Sequence, residues 1–227
     1  MRPQFAPSLM CMDLSKVGDQ LAVLDKHMDL YHVDIMDGHF CKNISLSPDF
    51  ANMVAAQAAL PLDVHLMVTQ PSDIIPLLHL RPVDFISPHA ETINSDAFRV
   101  MNLIREKGCR TGLVLNPATP LESVRHYLNR VDMLTIMTVD VGFAGQPFIG
   151  EMLTKIREAR ELREANHYHY QIQIDGSCNQ KTFARLYQAG ADVYILGSSG
   201  LFKLDNDLEK AVEKMHLIFK QETGAAQ

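Results

Sequence analysis

The sequence predicts a single-domain (β/α)8 barrel, or TIM barrel, and three observations support this. Eight short apolar runs alternate with amphipathic stretches along the chain, which indicates parallel strands joined by helical crossovers. The 227 residues leave about 28 per repeat, enough for a strand, a helix and two short loops. The first apolar run lies near the N-terminus and a helical pattern comes last, which favours a closed barrel over an open doubly wound sheet.

The predicted strands are short, and the stretches between them carry apolar residues at helical spacing. The strands are expected at residues 4–9, 30–35, 62–66, 84–87, 110–115, 133–137, 170–174 and 192–196. Residues 1–222 should form the barrel, and residues 223–227 a loose C-terminal tail.

Local signals mark several helix ends. Ser47 precedes Pro48, which is typical of a capped helix start with proline in its first turn. Residues 119–122 (TPLE) fit a capping box at the start of another helix. Gly108 and Gly190 follow helical patterns as C-terminal stops.

Composition excludes several classes of protein. With 47% hydrophobic and 21% charged residues, the chain can bury a large core, so disorder is excluded. The net charge is −6 and there is no basic run, so we expect no nucleic-acid partner and no anionic membrane surface. No apolar stretch reaches 18 residues and no secretory leader is evident. The four cysteines show no CxxC spacing, which indicates reduced thiols and a cytoplasmic protein.

Polar side chains interrupt three strands whose two faces should both be buried. In the second strand His32 and Asp34 are two residues apart and therefore share a face. In the third strand Asp63 and His65 share a face, and in the seventh Gln173 and Asp175 do so. These side chains should point into the barrel.

Four of these residues suit a metal ion. Two imidazoles and two carboxylates, His32, His65, Asp34 and Asp175, would converge at the catalytic rim, a ligand set that fits Zn, Fe(II), Mn or Co. The alternative is that each is a hydrogen-bonded core residue, a role that is hard to assign to four rim residues at once.

Glycine-rich loops follow the last three strands, where barrels commonly bind phosphate through backbone amides. Glycines mostly form turns, so one such loop is weak support, but three adjacent loops favour a phosphate site. The predicted substrate-side residues in these loops are Gly142, Phe143, Ala144, Gly145, Gly176, Ser177, Gly197 and Ser198.

The same residues carry a family resemblance that spans nearly the whole chain. The matching stretches are residues 7–13 (PSLMCMD), 32–40 (HVDIMDGHF), 65–68 (HLMV), 137–140 (MTVD), 142–149 (GFAGQPFI) and 175–180 (DGSCNQ). With these motifs the sequence resembles the ribulose-phosphate 3-epimerase family.

This resemblance implies specific roles. His32, Asp34, His65 and Asp175 match the metal ligands, with Asp34 as proton acceptor and Asp175 as proton donor. Ser8 and His65 match contacts to the substrate oxygens, and the glycine loops match the phosphate side. Methionines 36, 67 and 137 match residues that crowd the reacting carbons, although ordinary core filling is the alternative. The roles of His39 and His89, in the loops after the second and fourth strands, stay open.

The implied reaction is inversion of carbon 3 of a phosphorylated 2-ketose, by two-base proton transfer through a metal-stabilised enediolate, with no organic cofactor. Asp140, Ala144 and Ser177 favour the branch that converts D-allulose 6-phosphate to D-fructose 6-phosphate, with ribulose 5-phosphate as the alternative substrate. Val141 replaces a proline common to both branches. The family commonly self-associates, so a homo-oligomer is expected.

Two rival functions remain. A metal-free decarboxylase or aldol-type synthase would share the late phosphate loops but needs an inward lysine on the early strands, where this chain has His65. A non-catalytic sugar-phosphate-binding barrel would have no need of paired carboxylates.

Overall fold

The computed structural model describes residues 2–225 and contains the eight expected parallel strands. They are β1 (Gln4–Pro7), β2 (Tyr31–Met36), β3 (Leu62–Met67), β4 (Phe85–Pro88), β5 (Arg110–Leu115), β6 (Met133–Met137), β7 (Gln171–Asp175) and β8 (Val193–Leu196). Seven differ from the predicted ranges by no more than one residue at either end. The first is two residues shorter, because the chain turns into a 3-10 helix at Leu9–Cys11.

The strands follow the order β1-β8-β7-β6-β5-β4-β3-β2, so β1 and β2 are the two ends of the sheet. These ends meet through a parallel bridge between Ser8 and His32. The Ser8 hydroxyl also donates a hydrogen bond to Asp34 Oδ2 at 2.8 Å. The sheet therefore closes into a barrel, and it closes beside the predicted site.

Every crossover between consecutive strands carries helical structure on the outside of the sheet. The α-helices are α1 (Val17–Leu24), α2 (Pro48–Gln57), α3 (Pro71–Ile74), α4 (Ala90–Ile93), α5 (Ala97–Glu106), α6 (Met152–Asn166), α7 (Phe183–Ala189) and α8 (Leu208–Thr223). The crossover between β5 and β6 is instead a 3-10 helix, Leu121–Arg130.

Most of the predicted helix signals are confirmed. Ser47 caps α2 by accepting a hydrogen bond from the Phe50 amide, and Gly190 ends α7 with a φ of 108°. The capping box at residues 119–122 is wrong. Pro120 precedes the 3-10 helix without a side-chain cap, because the Thr119 hydroxyl donates to Glu91, 28 residues earlier in the chain.

The two faces of the strands bury different chemistry. Outward residues such as Val33, Val64 and Ile174 pack with the inner faces of the helices in one continuous apolar core. A smaller apolar cluster that includes Phe85 and Met133 is separate from this core. The inward polar residues of β2, β3 and β7 are held mostly by hydrogen bonds to one another, as the strand parity predicts.

Three further expectations from the sequence concern the cysteines, membrane-spanning helices and the C-terminal tail. All four cysteines are free, as expected. Within residues 2–225, no helix is both long and apolar enough to cross a membrane. The division into a barrel at residues 1–222 and a tail at 223–227 stays a prediction. Helix α8 runs to Thr223, and residues 226 and 227 lie outside the described part.

Candidate active site

Four side chains converge at the C-terminal end of the barrel. His32, Asp34, His65 and Asp175 each offer one ligand atom, and all four atoms lie within 4.8 Å of one another. Both imidazoles are fully buried, Asp34 is nearly so, and Asp175 is partly open to the cavity above them. The structure thus brings together every residue that the sequence predicted to bind metal, while their function as ligands stays a prediction.

Strand register produces this convergence. In the β2–β3 pair, Asp34 lies opposite His65, and His32 lies opposite Asp63. Asp175 is the last residue of β7 and lies opposite Met137 of β6. Because successive side chains alternate between faces, the inward positions of β2 and β3 fall side by side.

The donor atoms are spaced as metal ligands would be. His32 Nε2 lies 3.2 Å from Asp34 Oδ1 and 3.7 Å from Asp175 Oδ2. His65 Nδ1 lies 3.3 Å from Asp34 Oδ1 and 3.5 Å from Asp175 Oδ2, and the two ring nitrogens are 3.3 Å apart. Ligands of a tetrahedral zinc ion are separated by about 3.4 Å.

The buried histidines and carboxylates of this cluster stabilise one another's charged forms. Burial opposes ionisation of Asp34, but the charge of His32 and the hydrogen bonds from both imidazoles lower its pKa overall. Burial likewise opposes the charged form of His32, yet Asp34 and Asp63 raise its pKa well above the usual value. The site therefore favours positive charge between its carboxylates, which a proton or a cation can supply.

Asp63 orients His32 from below. Its Oδ2 lies 3.0 Å from His32 Nδ1, and it also accepts hydrogen bonds from Ser87 and Gln173. These bonds lower the pKa of Asp63 although burial opposes ionisation, so the carboxylate fixes the proton of His32 on Nδ1 and leaves Nε2 facing the cluster. The sequence placed Asp63 on the inner face without assigning it this function.

The role of His89, like that of His39, could not be assigned from the sequence. It is fully buried, and its Nε2 lies 2.8 Å from His65 Nε2. Its Nδ1 lies 3.1 Å from Glu91 Oε2. Burial lowers the pKa of His89 to about 4, and hydrogen bonds from His89 and Thr119 overcome the effect of burial to lower that of Glu91 to about 2. The pair is therefore a neutral imidazole and a carboxylate at neutral pH.

A cavity lies above the cluster, and nearly all of the residues predicted to contact the substrate line it. Its volume is about 640 Å³ including the part that is open to solvent. Among the predicted substrate residues, those lining it are Ser8, Gly142, Phe143, Ala144, Gly145, Gly176, Ser177, Gly197 and Ser198. His65, the remaining one, is fully buried and does not line the cavity. His39 does not line it either, because its ring turns back to the Asp37 carbonyl.

Gly176 shows why glycine is required at one of these turns. Its φ is 116°, and an added Cβ would lie 2.7 Å from Val139 Cγ2. Backbone strain and steric contact therefore both exclude a side chain. Ser177 follows with a φ of 51°, and its hydroxyl donates to the Gln146 carbonyl at 2.6 Å, which ties the β7 loop to the β6 loop.

The wall between the cluster and the glycine loops is apolar. Met36, Met67 and Met137 are almost fully buried and all line the cavity. They pack in small clusters separate from the main core, so they form a cavity wall. Such a wall presents an apolar surface to the cavity.

The donor set fits a divalent cation. Two carboxylates enter the cavity, and among its described lining residues there is no lysine or arginine to balance them. The nitrogen and oxygen donors match the preferences of zinc and of the other divalent transition metals.

Comparison of the sequence with known proteins gives strong matches. The profile of the ribulose-phosphate 3-epimerase family matches residues 4–202. The ribulose-phosphate 3-epimerase of Bacillus subtilis is 35% identical over 212 residues, covering 92% of this chain and 96% of that protein. Those of Aquifex aeolicus and Escherichia coli are 35% and 32% identical, and each alignment covers 92% of this chain and at least 93% of the relative.

Comparison with solved structures supports the fold alone. The 3-hexulose-6-phosphate synthase of Salmonella typhimurium has a TM-score of 0.66 and 14% identity, covering 96% of this chain and 99% of that one. A protein named KGPDC from Streptococcus mutans has a TM-score of 0.66 and 10% identity, covering 97% and 99%. At such identities the similarity extends to the barrel and carries no statement about chemistry.

Proposed function

Because the chain belongs to the ribulose-phosphate 3-epimerase family, we propose that the four-residue cluster binds one divalent metal ion and inverts carbon 3 of a phosphorylated 2-ketose. The chain is an isomerase, a 3-epimerase that acts on sugar phosphates. The metal, the residue roles and the particular ketose are our proposals.

The convergence of two carboxylates with two imidazoles under one cavity is the observation that carries this proposal. Epimerisation removes a weakly acidic C–H proton from one face of carbon 3 and returns a proton to the other. It therefore needs two proton-transfer groups within reach of the same carbon. Asp34 and Asp175 come from different strands, β2 and β7, and both line the cavity.

In this mechanism Asp34 accepts the proton from carbon 3, and Asp175 donates one to the opposite face, the roles reversing with the direction of reaction. Ser8 donates a hydrogen bond to Asp34 Oδ2 and so orients the carboxylate. The loops that contain Gly142, Gly176 and Gly197 hold the phosphate through backbone amides, which fixes carbon 3 relative to the two carboxylates.

His32, Asp34, His65 and Asp175 would hold the metal, and Zn, Fe, Mn or Co suits this donor set. When bound, the cation supplies Lewis-acid stabilisation of the negative charge that develops on the substrate oxygens. Asp63 holds the His32 ring in place, and the methionine wall excludes water.

The substrate has two candidates. The family relatives favour ribulose 5-phosphate, since the three described above are all ribulose-phosphate 3-epimerases. This support is stronger than that for D-allulose 6-phosphate, the substrate that the sequence motifs favoured. The second candidate rests on Asp140, Ala144 and Ser177, which all line the cavity at its glycine-loop side.

Deuterium exchange tests the reaction and the substrate together. The protein is incubated in D₂O with ribulose 5-phosphate or with allulose 6-phosphate, with and without a chelator, and deuterium at carbon 3 is followed by NMR. We expect incorporation that the chelator abolishes and that a divalent metal restores. Binding without exchange would support the non-catalytic barrel, and the faster substrate decides between the two ketoses.

Two variants test the proton-transfer roles. Asp34→Asn and Asp175→Asn should each abolish turnover while circular dichroism shows a folded barrel. His169→Leu, which breaks the exposed His169–Asp132 pair, is the matched control and should retain full activity. Near-wild-type turnover by either asparagine variant would refute the two-base assignment.

A homo-oligomer and a cytoplasmic location complete the proposal. Light scattering after size-exclusion chromatography measures the first, and a monomer would refute it. Fractionation of cells tests the second.

A further inference from the structure

A chain of hydrogen bonds leads away from His65 on the side opposite the metal cluster. His65 Nε2 lies 2.8 Å from His89 Nε2, and His89 Nδ1 lies 3.1 Å from Glu91 Oε2. His65 belongs to β3, His89 directly follows β4, and Glu91 lies in the first turn of α4. The mechanism proposed above does not use His89 or Glu91.

The donors around Glu91 are fixed independently of the histidines. Its Oε1 accepts a hydrogen bond from the Asn116 backbone amide at 3.0 Å and another from the Thr119 hydroxyl. The loop that carries Asn116 is in turn held by Lys155 of α6, whose ammonium donates to the Asn116 and Pro117 carbonyls. One carboxylate oxygen is thus occupied by fixed donors, and the other faces His89.

The direction of the hydrogen bonds then follows from the geometry. A carboxylate only accepts, so His89 must carry a proton on Nδ1. Two ring nitrogens 2.8 Å apart share one proton, so His89 Nε2 accepts and His65 Nε2 donates. In the neutral form that can bind a metal ion, His65 therefore has its lone pair on Nδ1, the atom that faces Asp34 and Asp175.

We propose that His89 and Glu91 are positioning residues that select the metal-binding tautomer of His65. This inference rests on the metal site of the proposed function. His89 is held in place by the Phe40 ring, whose centroid lies 4.5 Å from that of the imidazole. Neither residue touches the reacting carbons, and their contribution is to present His65 Nδ1 unprotonated.

Glu91→Gln tests this proposal because glutamine is nearly isosteric with glutamate and reverses the direction of the hydrogen bonds that lead from residue 91 through His89 to His65. The amide oxygen must face the fixed Asn116 N–H, so the amide NH₂ faces His89 Nδ1 and makes it an acceptor. His89 Nε2 then carries the proton and donates to His65, which places the His65 proton on Nδ1 and blocks the ligand atom. Glu91→Ala removes the constraint without imposing the wrong tautomer.

The measurement is the affinity of metal-stripped, full-length protein for Zn²⁺ in competition with a chromophoric chelator. We expect Glu91→Gln to weaken binding by about 10–100-fold and Glu91→Ala to weaken it less. A purely structural role predicts the opposite order, because alanine leaves more hydrogen-bond donors unpaired. His169→Leu removes an exposed histidine–carboxylate pair at 3.0 Å and should bind Zn²⁺ as the wild type does.

Two further results separate the possible failures. If the wild-type protein binds no divalent metal, the proposed metal site itself is wrong. Alternatively, the wild type binds Zn²⁺ while Glu91→Gln binds it as tightly as the wild type, or more tightly than Glu91→Ala does. Either result overturns only the proposal that His89 and Glu91 select the tautomer of His65. Thermal unfolding of the metal-free proteins identifies a variant that has lost its fold. If Glu91→Ala is that variant, Glu91→Gln combined with His89→Leu replaces it and should bind Zn²⁺ more tightly than Glu91→Gln alone. If Glu91→Gln is that variant, His89→Leu should bind Zn²⁺ more weakly than the wild type, and wild-type affinity would overturn the proposal.

Discussion

Asp63→Asn tests whether the residues beneath the cluster set its metal affinity. Asp63 accepts hydrogen bonds from His32, Ser87 and Gln173 with two carboxylate oxygens. Asparagine has one accepting oxygen, so at least one of these buried donors loses its acceptor, at a cost of about 1–3 kcal/mol. The bond to His32 also loses its charge assistance, which halves the strength of such a bond as an order of magnitude.

We therefore expect Asp63→Asn to weaken Zn²⁺ binding by about 10–100-fold, or about 1.4–2.7 kcal/mol. Competition with a chromophoric chelator measures the affinity, and thermal unfolding of the metal-free protein measures the stability. Asp84→Asn is the matched control. Asp84 is equally buried and accepts bonds from the Leu62 amide and from Arg81, but it lies before β4 at the opposite end of the barrel.

The control should lose stability and keep its Zn²⁺ affinity. An Asp63→Asn protein that loses only stability would refute the idea that Asp63 acts through His32. Equal losses of affinity in both variants would point to a general effect of destabilising the barrel.

Two further predictions concern the cavity. Gly176→Ala should lower the free energy of unfolding by about 1–3 kcal/mol and raise KM for the sugar phosphate, because the new methyl group meets Val139. Gly18→Ala, in α1 with nothing near the added atom, is its control and should not be destabilising. Ser8→Ala should lower kcat about tenfold, because a hydrogen bond to a charged group is lost, with Zn²⁺ affinity unchanged. Wild-type kcat in that variant would remove Ser8 from the mechanism.

The fold and the four-residue cluster could be predicted from the sequence because both depend on periodicity. Parallel strands bury both faces, so a histidine and an aspartate two residues apart stand out against the apolar pattern in β2 and β3. Alternation then assigns them to one face, and the barrel topology brings the carboxyl ends of the strands together. The register that places Asp34 opposite His65 could not be read from either strand alone.

His89 was harder to assign because it lies one residue beyond β4. It nevertheless continues the parity of Phe85 and Ser87, and this alternation is the signal that could have placed it inside the barrel. The capping box predicted at Thr119 is wrong for a different reason. Its local sequence fits a capping box, but its hydroxyl is engaged by Glu91 across the structure. Local capping patterns carry no information about such a distant acceptor.

The two histidines present different ring nitrogens to the cluster, and the register explains why. His32 lies one inward position below Asp34 on β2, so it reaches the cluster with the distal atom Nε2. His65 lies opposite Asp34 and uses the nearer atom, Nδ1. A glutamine side chain extends to the position of Nε2, and an asparagine side chain to that of Nδ1. His32→Gln and His65→Asn should therefore retain more Zn²⁺ affinity than His32→Asn and His65→Gln. Competition titrations of the four proteins measure this order, and the reverse order would show that the rings bind metal through the other nitrogens.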